Sequence, residues 1–169
     1  MAVQLGMAFG ASVHAAVSPG KASIVRGYGA IPIDYQAQTP EEYIAMSPNA
    51  QVWDIVYDTV GGAVLDDSFK VVKRYTGHAI SCLGWGNHSL APLSFRGASY
   101  SGVFTLLPLL TGEFRAHQGE ILARACELVE AGKLRPLLYS KVFSLSEIHD
   151  AHEMVARGAL GKIVVQISH

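Results

Sequence analysis

From residue 12 onward, short apolar runs alternate with amphipathic stretches, and turn-forming residues separate them. Ser12 to Val17 is a continuous apolar run, as in a strand covered on both faces. Ser18-Pro19 then opens a helix, because serine can accept from free backbone donors and proline already holds a helical φ. Gly27 and Gly29 offer its stop. Ala30 to Ile33 reads as the next strand, and Thr39-Pro40-Glu41-Glu42 repeats the pattern of cap, proline and acidic first turn before a short helix. A third strand is expected at Val52 to Tyr57, a helix from about Gly62 to Tyr75, and a strand at His78 to Leu83 that ends in Gly84-Trp85-Gly86-Asn87.

Further on, Ile121, Leu122, Ala125, Leu128 and Val129 keep helical spacing between Glu113 and Ala131, and Gly132 can close that helix. Leu137 to Phe143 reads as a strand, Ser144 to Arg157 as a helix with Ile148, Ala151 and Val155 inward, and Lys162 to Ile167 as a final strand. At the start, Met1 to Phe9 reads as a helix running into Gly10 and the first strand. Three β-α units in a row imply a parallel sheet, since right-handed crossover helices lie over its faces. The expected fold is therefore α/β, a doubly wound parallel sheet of Rossmann-like type. Ligands of such sheets bind beyond the carboxyl ends of the strands, here Ser18, Asp34-Tyr35, Asp58-Thr59-Val60-Gly61 and Leu83-Gly84-Trp85. Residues 1–169 read as one domain, with no repeat, low-complexity linker or composition shift.

Composition narrows the partners. Half of the 169 residues are hydrophobic, 16% are charged and the formal net charge is -1, which gives no electrostatic footprint for nucleic acid or an acidic membrane surface. Small neutral ligands or protein surfaces are the expected partners. Cys82 and Cys126 form neither a disulfide framework nor a metal clip, and both read as buried small hydrophobes in a reducing cytoplasm. The start lacks the pattern of a secretory signal, and no continuous apolar run reaches the ~18 residues of a membrane span. The expectation is a soluble, cytoplasmic protein.

Two strand ends carry candidate chemistry. A fold that prefers NAD usually places a carboxylate after its second strand, where it would bind the ribose 2′-hydroxyl and repel a 2′-phosphate. Here Val17-Ser18-Pro19-Gly20-Lys21 offers a hydroxyl, a helix amino terminus and a lysine instead, which favours NADP; the alternative is that Ser18 is only a cap and Lys21 only solvated. Asp58 to Gly62 combines an acid, a hydroxyl and two glycines, permitting close backbone approach to a ligand, or else simply ending a strand and starting a helix.

Other motifs fail on context. Gly84-x-Gly86-x-x-Ser89 imitates part of a dinucleotide fingerprint, but Leu90-Ala91-Pro92 follows where a helix is needed. His149 and His152 lack a third ligand and read as a partly buried helix edge, so no metal site is expected. There is no tyrosine followed four residues later by lysine, and no Gly-x-Ser-x-Gly elbow for a serine nucleophile.

Ala2-Val3-Gln4-Leu5, Ala30-Ile31-Pro32-Ile33-Asp34-Tyr35, Asp54-Ile55-Val56-Tyr57-Asp58-Thr59-Val60-Gly61-Gly62 and Gly161-Lys162-Ile163-Val164-Val165 together resemble the medium-chain dehydrogenase/reductase superfamily. The nearest branch is the quinone oxidoreductase and zeta-crystallin-like group. In that family the phrase resembling Ala2 to Leu5 follows a glycine-rich turn. The resemblance therefore implies a partial nucleotide-binding domain that lacks the turn, the first strand and the amino-terminal catalytic domain. It implies that Tyr35 flanks the cofactor phosphate with Ser18 and Lys21, that Arg157 approaches it, and that Asp58, Thr59, Val60 and Gly61 pass the adenosine and ribose. Leu83, Gly84 and Trp85 join the site, and Ser101, Gly102 and Val103 supply backbone contacts to the nicotinamide.

For the whole protein the resemblance implies zinc-free, NADPH-dependent reduction of a quinone, enone or related carbonyl compound, with the hydride coming from the nicotinamide. It identifies no catalytic acid or base here. It also implies a homodimer through the edge strand near Ser99 to Phe104. The alternative is a noncatalytic association module of the same fold. The chain as written is expected not to carry out hydride transfer, with a gap in the sheet between the strands at Ser12 and Val52 unless they pair directly or another segment fills it.

Overall fold

The computed structural model describes residues 1–47 and 52–167. The chain divides into two compact units, one of His14–Ile121 and one of Met1–Val13 together with the chain from Leu122 onward.

In the first unit the expected β-α alternation is present. β1 (His14–Val17) pairs in parallel with β2 (Ile31–Asp34), Val17 lying opposite Asp34. Between them, Ser18 precedes a single 3-10 turn (Pro19–Lys21) that passes into α2 (Ala22–Gly27). α3 (Pro40–Met46) opens with a full capping box: Thr39 Oγ1 accepts from the Glu42 N–H at 3.4 Å, and the Thr39 N–H donates to Glu42 Oε2 at 2.7 Å. The pattern of strand, helix and strand then repeats as β3 (Ile55–Asp58), α4 (Ala63–Val71), β4 (His78–Ser81), α5 (Ala91–Arg96) and β5 (Ser99–Gly102).

These last three strands form a parallel sheet in the order β3-β4-β5. β1 and β3 do not pair directly; their ladders are separate. On β4, Ala79 and Ser81 are buried while His78 and Ile80 are partly exposed, so the period-2 alternation turns one face to a core. That core is Leu65 and Phe69 of α4, Val72 just after it, Ala79 of β4 and Leu93 of α5, with Val56 and Ala98 packed against them.

Two helices depart from the sequence reading. α5 begins immediately after Leu90, so Leu90-Ala91-Pro92 opens a helix and does not replace one. Pro92 sits in the first turn, where its missing N–H has no intrahelical partner to lose. α6 (Leu106–Thr111) is the other, a short turn whose Leu106, Leu107, Leu109 and Leu110 are all exposed.

In the second unit α1 (Ala2–Ala8) carries Gln4, which is buried and uses its side-chain amide like a strand neighbour. Gln4 Nε2 donates to the Arg135 carbonyl at 3.0 Å, and Gln4 Oε1 accepts from the Arg135 N–H at 2.8 Å. β6 (Leu138–Ser144) pairs in parallel with β7 (Lys162–Gln166), with a register irregularity between Leu138 and Val142. The helix expected at Ser144 to Arg157 is a 3-10 turn (Leu145–Glu147) followed by α8 (Ile148–Ala156). Ala151 is buried as expected, whereas Ile148 and Val155 are exposed.

Of the apolar positions at helical spacing on α7 (Arg115–Glu130), Leu128 is buried, but Ile121, Leu122 and Val129 are exposed. Helical spacing establishes which residues share a face, not that a partner covers it. The cysteines are corrected likewise, Cys82 being partly exposed and Cys126 exposed.

Candidate functional site

Asp58 is the last residue of β3 and Ser81 the last of β4, and they lie opposite one another in the parallel register. Both are buried, at 3% and 1% exposure. Ser81 Oγ donates to Asp58 Oδ2 at 2.6 Å. Asp58 Oδ1 accepts from the Val60 N–H at 3.0 Å, and the Gly61 N–H reaches Oδ1 at 3.1 Å and Oδ2 at 3.0 Å. Ser81 Oγ in turn accepts from the Leu83 N–H at 3.0 Å. A buried carboxylate is tolerated when its oxygens are filled by donors in this way. The network fixes the loop after β3 and the loop after β4 to each other, at the carboxyl end of the sheet.

Close packing explains two of the glycines. A Cβ at Gly61, where φ is +77°, would stand 2.3 Å from the Leu83 carbonyl oxygen; a Cβ at Gly84 would stand 2.2 Å from the Tyr100 hydroxyl. At Gly61 the obstacle is backbone, so the two loops approach too closely for a side chain there; at Gly84 it is the end of the Tyr100 side chain, which would have to turn aside. Thr59 and Val60 face solvent above this packed layer. Tyr57, one residue before Asp58, has its hydroxyl pKa pushed up by the hydrogen bond with Cys82, and also by burial.

Next to the clasp is an aromatic pair. Trp85 and Phe104 meet edge to face with centroids 5.3 Å apart, yet remain 61% and 47% exposed. Leu83 and Val103 are exposed on the same two loops. Ser101 is on β5, its Oγ 2.8 Å from His78 Nε2, and Gly102 ends the strand. Behind the loop, His88 lies against Phe69, 2.9 Å from Asp66 Oδ1 and 3.3 Å from the Trp85 carbonyl.

The β1 end is built differently. Ser18 makes no side-chain cap bond, and Lys21 is exposed with no ion pair among the described residues. Tyr35, just after β2, is exposed. The parallel register also brings Asp34 opposite Val17, its Oδ1 accepting from the Gln36 N–H at 3.0 Å. An acid does therefore stand at this level of the sheet, supplied by the neighbouring strand. His14, at the start of β1, has its pKa lowered by burial, and its Nδ1 is buried without a partner, beside the Trp53 ring.

Arg157 lies in the second unit, at the end of α8, where Nη2 donates to Glu153 Oε2 at 2.8 Å. It lines a shallow cavity with Tyr139, Phe143, Met154 and Asp150. His149 and His152 are exposed, contrary to the partly buried edge expected, and His149 pairs with Glu153 at 3.4 Å. Among the described residues no group of three or more His, Cys, Asp or Glu side chains is placed to hold a metal ion. No helix among them is long and apolar enough to cross a membrane.

Ser81 and His88 were missed by the sequence reading, and Tyr100 was read only as part of the edge strand, not as a neighbour of Gly84. For Ser81 a signal existed, since it falls on the same strand phase as the buried Ala79. Sequence alone carries no comparable mark for His88 or Tyr100.

Comparison with known proteins gives this geometry a family. A family model for zinc-binding dehydrogenases matches residues 29–165. The mitochondrial NAD(P)H oxidoreductase RTN4IP1 of Mus musculus is 30% identical over 179 residues, covering 98% of this chain and 44% of that protein. The Danio rerio counterpart is 29% identical and covers 45% of its own length. The chain thus spans a little under half the length of the curated relatives it matches. Among solved structures, an alcohol dehydrogenase superfamily protein from Novosphingobium aromaticivorans superposes with a TM-score of 0.90 at 48% identity, over 99% of this chain and 52% of that one. On these matches and the parallel β-α architecture, the chain belongs to the zinc-binding dehydrogenase family, in the medium-chain dehydrogenase/reductase superfamily.

Proposed function

We propose that this chain forms part of the cofactor-binding domain of an NADP-dependent oxidoreductase that reduces a quinone, enone or related carbonyl compound. The observation that carries the reading is the clasped pair of loops at the carboxyl ends of β3 and β4, the place where α/β sheets of this kind bind ligands. The relatives named NAD(P)H oxidoreductase support a nicotinamide cofactor.

In this reading Asp58 and Ser81 shape the loops while Thr59, Val60 and Gly61 pass the cofactor's ribose side. Leu83, Gly84, Trp85, Ser101, Gly102 and Val103 border the nicotinamide, and Trp85 with Phe104 offers an apolar wall to a planar acceptor. The bound nicotinamide supplies the hydride; these residues bind, orient and exclude water. Zinc has no donor set among the described residues, so no step of the proposal runs through a metal.

NADP is preferred over NAD in this reading because Ser18, which makes no side-chain cap bond, and Lys21, which has no ion pair among the described residues, present a hydroxyl and a cation at the end of β1. Tyr35 flanks the same point, and Arg157 belongs to the phosphate site by resemblance alone. Asp34 opposes it, so Asp34→Asn should tighten NADP binding. Calorimetric titration with both cofactors tests the reading. Lys21→Ala should weaken NADP binding by about tenfold or more, the equivalent of ~1.5 to 3 kcal/mol for a charge-assisted contact, with NAD binding little changed. Tighter binding of NAD than NADP would overturn the preference.

Homodimerisation through the β5 edge belongs to the same proposal: among the described residues β5 pairs with β4 alone, and Tyr100, Val103 and Phe104 are exposed. Val103→Lys should then shift sedimentation velocity profiles toward monomer, and an unchanged profile rules the edge out.

A further inference from the structure

His88 is held between two groups that only accept hydrogen bonds. Its Nδ1 is 2.9 Å from Asp66 Oδ1 on α4, and its Nε2 is 3.3 Å from the carbonyl oxygen of Trp85 in its own loop. The side chain is 12% exposed and packs edge-on against Phe69. A neutral imidazole has one N–H and one lone pair, so it can satisfy one of these acceptors but turns a lone pair toward the other. Only the imidazolium donates to both.

We propose that His88 is a positioning residue: as an imidazolium it ties the Trp85 backbone to α4 and so sets where the Trp85 ring stands against Phe104. The inference rests on the reading of Leu83 to Trp85 as the nicotinamide-side loop, and adds to it a proton that fixes the loop. The titratable groups facing His88 are Asp66 from α4 and, farther off, Asp58 from the end of β3. No cation among the described residues is placed against it. The hydrogen bond with Asp66 raises the His88 pKa above its ordinary value, against an opposing contribution from burial.

The sign follows from linkage. A histidine whose folded-state pKa is raised contributes stability that is complete below its ordinary pKa of about 6.5 and is lost as pH rises through the raised value. The loop is therefore fixed in mild acid. Above the transition, Asp66 keeps the remaining N–H, and the Nε2 lone pair faces the Trp85 carbonyl.

The test is a pH series from 5.5 to 9 on the unaltered chain by NMR, following the indole N–H of Trp85 beside the ring protons of His88. Trp53, the other of the two tryptophans, lies beside His14 and reports that histidine separately, so the Trp85 transition is matched to the His88 ring protons and not to those of His14. The expected result is one transition shared by Trp85 and His88, with a midpoint above the ordinary histidine value. Asp66→Asn, which keeps the ring and removes the charge, should move that midpoint down. His88→Asn should leave Trp85 without a transition. A Trp85 signal that does not follow His88, or an unshifted midpoint in Asp66→Asn, overturns the proposal; the second holds even if His88→Asn does not fold. NADPH affinity is measured separately on the same samples. Absent NADPH binding with the transition intact would count against the cofactor reading alone.

Discussion

Asp58 and Glu147 use nearly the same chemistry in two different surroundings. Each carboxylate accepts from a backbone N–H and a serine hydroxyl: Asp58 from Val60, Gly61 and Ser81, Glu147 from the Ser144 N–H and Ser144 Oγ, both at 2.9 Å. Glu147 also accepts from Lys141 Nζ at 2.9 Å. The Glu147 network is local, a capping box that starts the 3-10 turn ahead of α8, and it is open to water. The Asp58 network joins two strand ends that are 23 residues apart in sequence, and it is buried. The same bonds thus set a helix start in one unit and the shape of the candidate site in the other. Burial makes the difference, because a donor left without its acceptor can turn to water beside Glu147 but not beside Asp58.

The largest effect should follow from removing the buried carboxylate. Asp58→Ala strands the Val60 and Gly61 N–H groups and the Ser81 hydroxyl, and should lower stability by about 3 kcal/mol. In a domain of this size that is a fall in Tm of roughly 6 to 12 °C. Calorimetry on the purified variant checks it. A change within about 0.5 kcal/mol of the parent would mean that the loops hold their shape without the clasp.

A smaller loss is expected for Ser81→Ala, about 1 to 2 kcal/mol, because Asp58 keeps its backbone donors and only the cross-strand link and the Leu83 acceptor disappear. Since the two side chains are bonded to each other, the double variant should cost less than the two single losses added together. Strict additivity in a denaturant-unfolding cycle would show that they act independently, and the link between loops would lose its energetic basis.

Much of this arrangement is legible before any coordinates. The β-α alternation, the strand ends at Ser18 and Asp58, and the turn chemistry of Thr39-Pro40-Glu41-Glu42 are local signals, and local signals survive folding when nothing in the tertiary structure opposes them, although β4 stops at Ser81, two residues short of the expected Leu83. Pro92 shows the limit: the same residue breaks a helix in its interior and fits one in its first turn, and which holds depends on where the helix begins. The role of Asp58 shows another. An acid followed by a hydroxyl and two glycines suggests a ligand loop, but that its oxygens turn inward depends on Ser81 arriving from the next strand. Asp34 reaches the β1 end in the same way, through strand pairing that no linear motif displays. The apolar face of α7 is visible in the sequence as a pattern, and the structure leaves Leu122 exposed; the helix α6, with Leu110 exposed, has no counterpart in the sequence reading.

The smallest effect should appear at the exposed carboxylate, and it is read through pH. The Ser144 N–H, Lys141 and the Ser144 hydroxyl, in that order, hold the Glu147 carboxyl down at about 2, from an ordinary value of 4.5. A carboxylate with a depressed folded-state pKa contributes stability that is complete above its unfolded value and is lost as pH falls through the folded one. For Glu147 the window runs from 4.5 down to about 2. Glu147→Gln keeps an acceptor for the Ser144 N–H but removes the charge, so the parent should be slightly more stable at neutral pH, and the gap should close across that window. Many carboxylates titrate there, but they are common to both proteins, and the difference between the two Tm curves isolates this one. Solvent and salt screen an exposed network, so raising the ionic strength should narrow the neutral-pH gap further, whereas the loss in Asp58→Ala should respond far less. A gap of constant size from pH 7 to pH 2 would show that the side chain's shape, not its charge, starts α8, and the parallel between the two carboxylates would then extend to geometry alone.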